Sequence, residues 1–358
     1  MRTLGPLFVV GAIVLVFLPL SPSYDLADFL RAGHAALTGG AVYPAPGSRA
    51  VYSGSAFVYP YFALWPFLPL AALPAALSRA LVFALTVAAV VAACRACSDE
   101  HDPWPSILVL ASSFAISGLQ LGALSPLEFA GAVALWRLRD RPVAFGLLAA
   151  PVVGAKLFLA PLLLWPILAG RWRAFAYASV ATAALLILGF AVGPIGILSY
   201  SELLSALGAH ESAAGFGVIG ALMRSHVPAA AAQVAAGALA ALVLGAAWLH
   251  DRREHEERVL FSGAILAALL LTPVLWSHYL LCLAAIPLVF RARARWFVLL
   301  AAGSWAVAAP HGVHLVSTGP LAHVNVAGLA LAVASFLAFV LGSLIRTRTT
   351  REAAPVRQ

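Results

Sequence analysis

Charge is what this sequence has least of. Asp, Glu, Lys and Arg together make up 10% of the chain, whereas a water-soluble domain carries roughly a quarter. That shortage excludes a fold whose surface is solvated all round. Lysine occurs once, at Lys156. Cysteine occurs three times, too few for a disulfide framework. Cys94 and Cys97 form C-x-x-C without a second pair or a nearby histidine set to complete a zinc site, so they read as small apolar residues facing helix neighbours. Internal repeats, low-complexity segments and any separate soluble domain are also missing. Acids number 14 against 22 bases, a net charge of +8. This excess does not point to nucleic acid, because the arginines sit in short loops between apolar runs.

What the chain has in their place is hydrocarbon. It is 63% hydrophobic with a mean hydropathy of +0.96, and apolar runs near membrane-spanning length recur from end to end. The expected fold class is an all-α polytopic membrane protein. Leu4 to Leu20 has the length of a signal-peptide core but no small-residue cleavage site follows, so it is expected to be the first span.

Arginine placement sets the expected topology. "WRLRDRP" (Trp136 to Pro142), "GRWR" (Gly170 to Arg173), "HDRREHEER" (His250 to Arg258), "RARARW" (Arg291 to Trp296), the tail from Arg346, Arg2 and Arg95 are assigned inside. Of the 22 basic residues, Arg31, Arg49, Arg79, Lys156 and Arg224 then lie outside or at depth, leaving 22 − 5 = 17 inside. Closure from inside to inside requires an even number of spans, about twelve by this count. Val143 to Ala169 must cross twice, as two short helices meeting near Lys156. Pro60 to Leu77, interrupted by Pro66, Pro69 and Pro74, must not cross and reads as a kinked interfacial helix. A single domain over residues 1–345 is expected, with long outer loops at 21–59, 193–227 and 310–322 and a cytoplasmic tail at 346–358.

The first outer loop carries "SPSYDLADFLRAGHAALTGGAVY" (Ser21 to Tyr43), in which Asp25, Asp28, Arg31 and His34 stand close together. Leu26, Leu30, Gly33 and Leu37 share one face at helical spacing, which predicts an amphipathic helix lying on the outer leaflet with its acids turned away from lipid. Only five acids fall on the outer side: Asp25, Asp28, Glu128, Glu202 and Glu211. A reaction there that needs a general base must draw on these, a histidine or a tyrosine. Asp25 reads either as a helix cap, with an acid three residues later, or as that base. Asp28 reads as a partner of Arg31 at i,i+3 or as a second site acid. Lys156, in "PVVGAKLFLAPLLLWP", either snorkels at a helix junction or forms an anion site. His278, Tyr59 and Gln120 fall at outer helix boundaries, where such residues serve as interface anchors or as ligand contacts. Arg224 ends "GFGVIGALMR" in the second outer loop, within reach of a lipid phosphate or of an outer-leaflet head group.

Taken in order, these segments carry a family resemblance. "DLADFLRAGHAALTGGAVY" followed by "FVYPYFALWPFLPLAALP" resembles the first outer loop of the GT-C membrane glycosyltransferases of family 87. These are polyprenyl-phosphate-mannose-dependent mannosyltransferases of the kind that build mycobacterial phosphatidylinositol mannosides. "LQLGALSPLEFAGAVALWRLRDRPVAFGLLAAPVVGAKLFLAPLLLWP" is similar to the family's glutamine-bearing turn and lysine-to-proline helix. "TPVLWSHYLLCL" is similar to its Ser-Pro-x-x-Trp-x-His motif. Phe29, Asp28 and Tyr61 stand where the family pattern has a tyrosine, an apolar residue and a proline, and "AAGFGVIG" stands where it has Asn-Gln-Ser.

The resemblance implies a GT-C bundle that moves a hexose, mannose in those relatives, from a polyprenyl-phosphate sugar to a lipid-linked or glycan acceptor at the outer face of the cell membrane. It places Asp25 at the catalytic base and Lys156, His278, Gln120 and Tyr59 around the donor. Asp28, Arg31 and Arg224 are then acceptor or secondary contacts. It implies no metal or other cofactor, and no nucleic-acid partner. A glycosidase would need two carboxylates about 5 to 9.5 Å apart across a sugar, a separation that Asp25 and Asp28 do not suit as near neighbours on one helix. The competing expectations are a transporter or lipid flippase, disfavoured by the missing repeat, and a non-catalytic partner of another membrane enzyme.

Overall fold

The computed structural model describes residues 23–45, 47–52, 56–99 and 102–308. The expected first span, the third outer loop and the tail lie outside these residues. Among the described residues every regular element is helical and none is a strand. Of the described helices, three are long and apolar enough to cross a membrane: Ala75–Cys97, Trp172–Val192 and Ala229–Glu254. A fourth crossing results if the pair Trp104–Leu110 and Ser113–Leu121, bent by 61°, is one broken span. Five shorter apolar helices of 10–17 residues accompany them. This is an all-helical membrane protein. The count of twelve crossings belongs to the topology proposed below.

The long helices are apolar on every side, as the surrounding solvent demands. Leu85, Val180, Ile187 and Val234 are largely exposed on their outer faces, which water would penalise and lipid does not. The inward faces carry small residues. Ala232, Ala236, Ala240 and Ala247 are buried along Ala229–Glu254, and that helix runs beside Glu257–Leu271, which is buried along nearly its whole length. Helix-to-helix contact in lipid depends on close backbone approach rather than on expulsion of water. Gly146 illustrates it, since a Cβ there would stand 2.5 Å from the Cβ of Tyr177. Cys94 and Cys97 are buried in the same core.

Proline sets where the helices break. Pro142–Ala155 ends at Lys156, whose backbone is extended (φ −134°, ψ 101°). A 3-10 segment, Leu157–Leu163, follows with Pro161 inside it, and then the short helix Leu164–Leu168. The expected pair of short helices meeting near Lys156 is therefore present. Tyr61–Phe67 is likewise a 3-10 turn containing Pro66, continued by Leu68–Ala71. The crossing helix starts at Ala75, directly after Pro74, and not beyond Leu77. Glu257–Leu271 stops before Thr272 and Pro273, since a residue preceding proline avoids the helical region. Ser277–Ala284 resumes as a 3-10 turn.

One expectation about the first outer loop is corrected. The helix Tyr24–Thr38 forms and its apolar stripe is buried, but against protein rather than on a leaflet surface. A Cβ on Gly33 would meet the Cβ of Ala71 at 2.8 Å, and one on Gly122 would meet that of Leu26 at 2.6 Å. Phe29 stacks on Phe67 with centroids 4.2 Å apart and meets Phe57 edge-on at 5.3 Å. Aromatic packing of this kind favours offset or edge geometry and fixes the helix in place. Leu37 alone of the stripe is exposed. The cap position falls to Ser23, in the left-handed region (φ 47°), so Asp25 stands inside the first turn and is not the cap.

At the opposite end of the bundle, three of the arginine-bearing loops are tied together. Arg171 grips Glu257 with two hydrogen bonds, Nε to Oε1 at 2.7 Å and Nη2 to Oε2 at 2.8 Å, and donates to Asp140 at 2.7 Å. Trp165 Nε1 donates to Glu257 at 3.0 Å. The guanidinium of Arg171 holds the Asp140 carboxyl below its ordinary range. Loss of this fork through Arg171→Ala is expected to lower stability by about 1.5–3 kcal/mol, the scale of hydrogen bonds to charged groups. Thermal unfolding in detergent checks this. An unchanged midpoint would mean that the loops are held by packing alone.

Candidate active site

Lys156 lies at the C-terminal end of Pro142–Ala155, so that helix carries it some 14 residues from the Asp140 network, roughly 20 Å at 1.5 Å per residue. Thr272 stands in the same way at the far end of Glu257–Leu271. Both border a cavity of about 550 Å³, a volume within the range of small-molecule sites. Its polar lining includes Asp25, Asp28, Tyr59, Lys156, His278 and Tyr279, together with Glu211 from the helix Ile197–Glu211, and Leu204, Leu207, Phe158 and Trp276 are among its apolar walls.

Broken backbone brings these side chains together. Asp25 enters from the first turn of Tyr24–Thr38, whose start is fixed by Ser23 N–H donating to the carbonyl of Gln120 at 3.1 Å. Lys156 enters where one short helix stops and the next begins. His278 and Tyr279 enter from the 3-10 turn after Pro273. Tyr59 precedes the proline-broken turn, and its carbonyl accepts a hydrogen bond from Tyr43 Oη at 2.7 Å. Tyr200, from the helix Ile197–Glu211, donates to the Val58 carbonyl at 3.0 Å, closing one wall.

Lys156 is buried, its side chain 6% exposed. Its Nζ donates to Ser125 Oγ at 3.3 Å and lies 3.9 Å from Glu128 Oε1, on a side chain 4% exposed. It also stands over the Tyr279 ring at 4.1 Å and 5.5 Å from the Tyr59 ring centre. An ammonium at this depth needs such partners. Tyr279 is in turn stacked on Phe158, 4.9 Å and 8° from parallel, which fixes the ring beneath the lysine. His278 is buried, and its Nε2 has no hydrogen-bond partner among the described residues.

The two loop aspartates differ. Asp25 is half-buried, and burial raises its carboxyl above the ordinary range while the positive charge of Lys156 pulls it back. Asp28 is raised to about 6 by burial, against the lowering effect of Arg31 and with a further upward push from Asp25. Arg31 Nη1 holds Asp28 Oδ1 at 3.0 Å, as the i,i+3 spacing predicts, and its own side chain is exposed. What the arrangement can do is present carboxylates, Asp25 among them, and one cation to the same largely apolar chamber.

The remaining candidates lie elsewhere. Gln120 is buried behind the cavity and serves the helix start through its backbone. Arg224 is exposed, and its guanidinium closes the turn at Ala213 and Gly215 by donating to their carbonyls. Neither lines the cavity. Two contributors were passed over by sequence reasoning. Glu128 was counted only among the five outer acids that could supply a base, and Tyr279 went unnoticed beside His278. A signal existed for Glu128: an acid inside an apolar helix requires a partner, and the sequence offers a single lysine, also within an apolar run.

A sequence model described as Glycosyltransferase family 87 matches residues 57–277. The match takes in Tyr59, Gln120, Glu128 and Lys156 and stops one residue short of His278, while Asp25 precedes it. No curated protein and no solved structure matches the chain. Because residues 57–277 are well over half of the 358, the chain belongs to glycosyltransferase family 87.

Proposed function

We propose that this glycosyltransferase moves a hexose, namely mannose, from a polyprenyl-phosphate sugar to a hydroxyl of a lipid-linked or glycan acceptor, with inversion, at the outer face of the cell membrane. The observation that carries the reading is that Asp25 and Lys156 line one cavity in which, among the described residues, Lys156 is the only lining Lys or Arg. Asp25 takes the proton of the acceptor hydroxyl. The oxygen attacks the anomeric carbon, the bond from that carbon to the phosphate oxygen breaks, and its electron pair leaves with the lipid phosphate. Negative charge grows on that phosphate, and the ammonium of Lys156 is in place to stabilise it in an apolar surround. His278 and Tyr59 contact the sugar, and Asp28, oriented by Arg31, faces the acceptor. The topology is the twelve-span arrangement with the arginine loops inside.

The test uses purified protein in liposomes, supplied with radiolabelled polyprenyl-phosphate mannose and a lipid extract as acceptor. A labelled glycolipid, identified by mass spectrometry, is the expected result. Movement of labelled lipid between leaflets with no glycan product would overturn the reading and favour a flippase.

A further inference from the structure

The ion pair behind the cavity is built unlike a structural one. Glu128 and Lys156 are both buried, yet their closest approach is 3.9 Å, beyond hydrogen-bond length. Neither Glu128 oxygen takes a hydrogen bond from the described residues. The lysine instead donates to Ser125 and rests on the Tyr279 face, and only the lysine lines the cavity, not the acid. The carboxylate therefore attracts the ammonium from behind without locking it, while the other side of the ammonium faces the chamber. A buried cation tolerates loss of its counter-ion poorly, so any phosphate entering the chamber shares Lys156 with an anion already present.

We infer that Glu128 is a positioning residue that competes with the lipid phosphate for Lys156 and so sets how quickly the spent carrier leaves. This rests on the reading of Lys156 as the phosphate site. The chemistry makes such a competitor useful. The donor is a phosphodiester with a single negative charge, whereas the departing lipid phosphate is a monoester that carries up to two. A lone cation would hold that product more tightly than the donor. Glu128, fixed behind the cation, repels both phosphates and the more highly charged product most, which favours release over retention.

The experiment compares wild type with Glu128→Gln, which keeps shape and removes charge, using farnesyl phosphate as a product-like inhibitor of mannose transfer. The expected result is about a tenfold fall in the inhibition constant, with kcat and the donor KM falling together. A mutation that lowers both is recognised by that joint change. A merely structural role would lower kcat and the unfolding temperature without tightening the inhibitor. Should Glu128→Gln fail to accumulate, Glu128→Asp withdraws the charge by one methylene and is expected to tighten inhibition two- to threefold. An inhibition constant that is unchanged or raised in whichever variant folds overturns the inference. Failure of the underlying reading looks different: farnesyl phosphate would not inhibit wild type, or would inhibit Lys156→Met equally well.

Discussion

Asp25→Asn is expected to reduce mannose transfer by about 10²- to 10⁴-fold, the range contributed by a general base, with donor binding nearly unchanged. The amide keeps the size of the side chain and loses the ability to take a proton. Product glycolipid measured by mass spectrometry, with donor affinity measured in parallel, checks both halves. Transfer within threefold of wild type would remove Asp25 from the chemistry. The pH dependence gives a second handle. Asp25 works as the ionised carboxylate, so activity falls as pH drops through its folded-state pKa. Burial raises that value, so the acid limb of kcat/KM is expected above the ordinary carboxylate range near pH 4. The same shift opposes stability: the fold favours the protonated form, so this contribution is most favourable at low pH and is lost as pH rises through the raised value.

Lys156→Met carries the second large expectation. Removal of the cation that meets the leaving phosphate is expected to lower kcat by about 10²- to 10³-fold, the cost of losing one preorganised charge-stabilising group. It should also move the acid limb to higher pH, because Lys156 is what pulls the Asp25 carboxyl down. The variant leaves Glu128 as a buried charge without its partner, at a cost of about 3–5 kcal/mol, so stability has to be separated from catalysis. The double variant Lys156→Met, Glu128→Gln does this: the unfolding midpoint should recover while the transfer rate stays low. Recovery of both would mean that the lysine only balances a buried acid.

Much of the fold was legible from the chain because membrane solvent imposes simple rules. Arginine loops at Arg139 and Arg171 were assigned to one side, and the structure ties them together through Glu257. The helix break near Lys156 was expected from the charge parity of the flanking arginine loops, and the pairing of Asp28 with Arg31 followed from spacing on one helix turn. The first-loop helix was legible as an amphipath, but its partner was not. Whether Leu26 and Gly33 meet lipid or protein depends on where the Tyr61–Ala71 segment folds back, and periodicity does not encode that. Gln120 and Arg224 were grouped with the site because they fall at outer boundaries, yet boundary position says nothing about which way a side chain turns.

The sequence alone therefore determined the solvent of this protein and the grouping of its arginines in short loops, and it supplied a short roster of candidate groups for chemistry. Each of these follows from the transfer cost of charge into hydrocarbon, which acts on every residue without reference to its neighbours. Only the tertiary structure decided that Asp25 faces the same chamber as Lys156, and that Glu128 stands behind the lysine instead of beside the substrate. Those placements join residues far apart in the chain, and they depend on how broken helices cross and on which small residues let them approach.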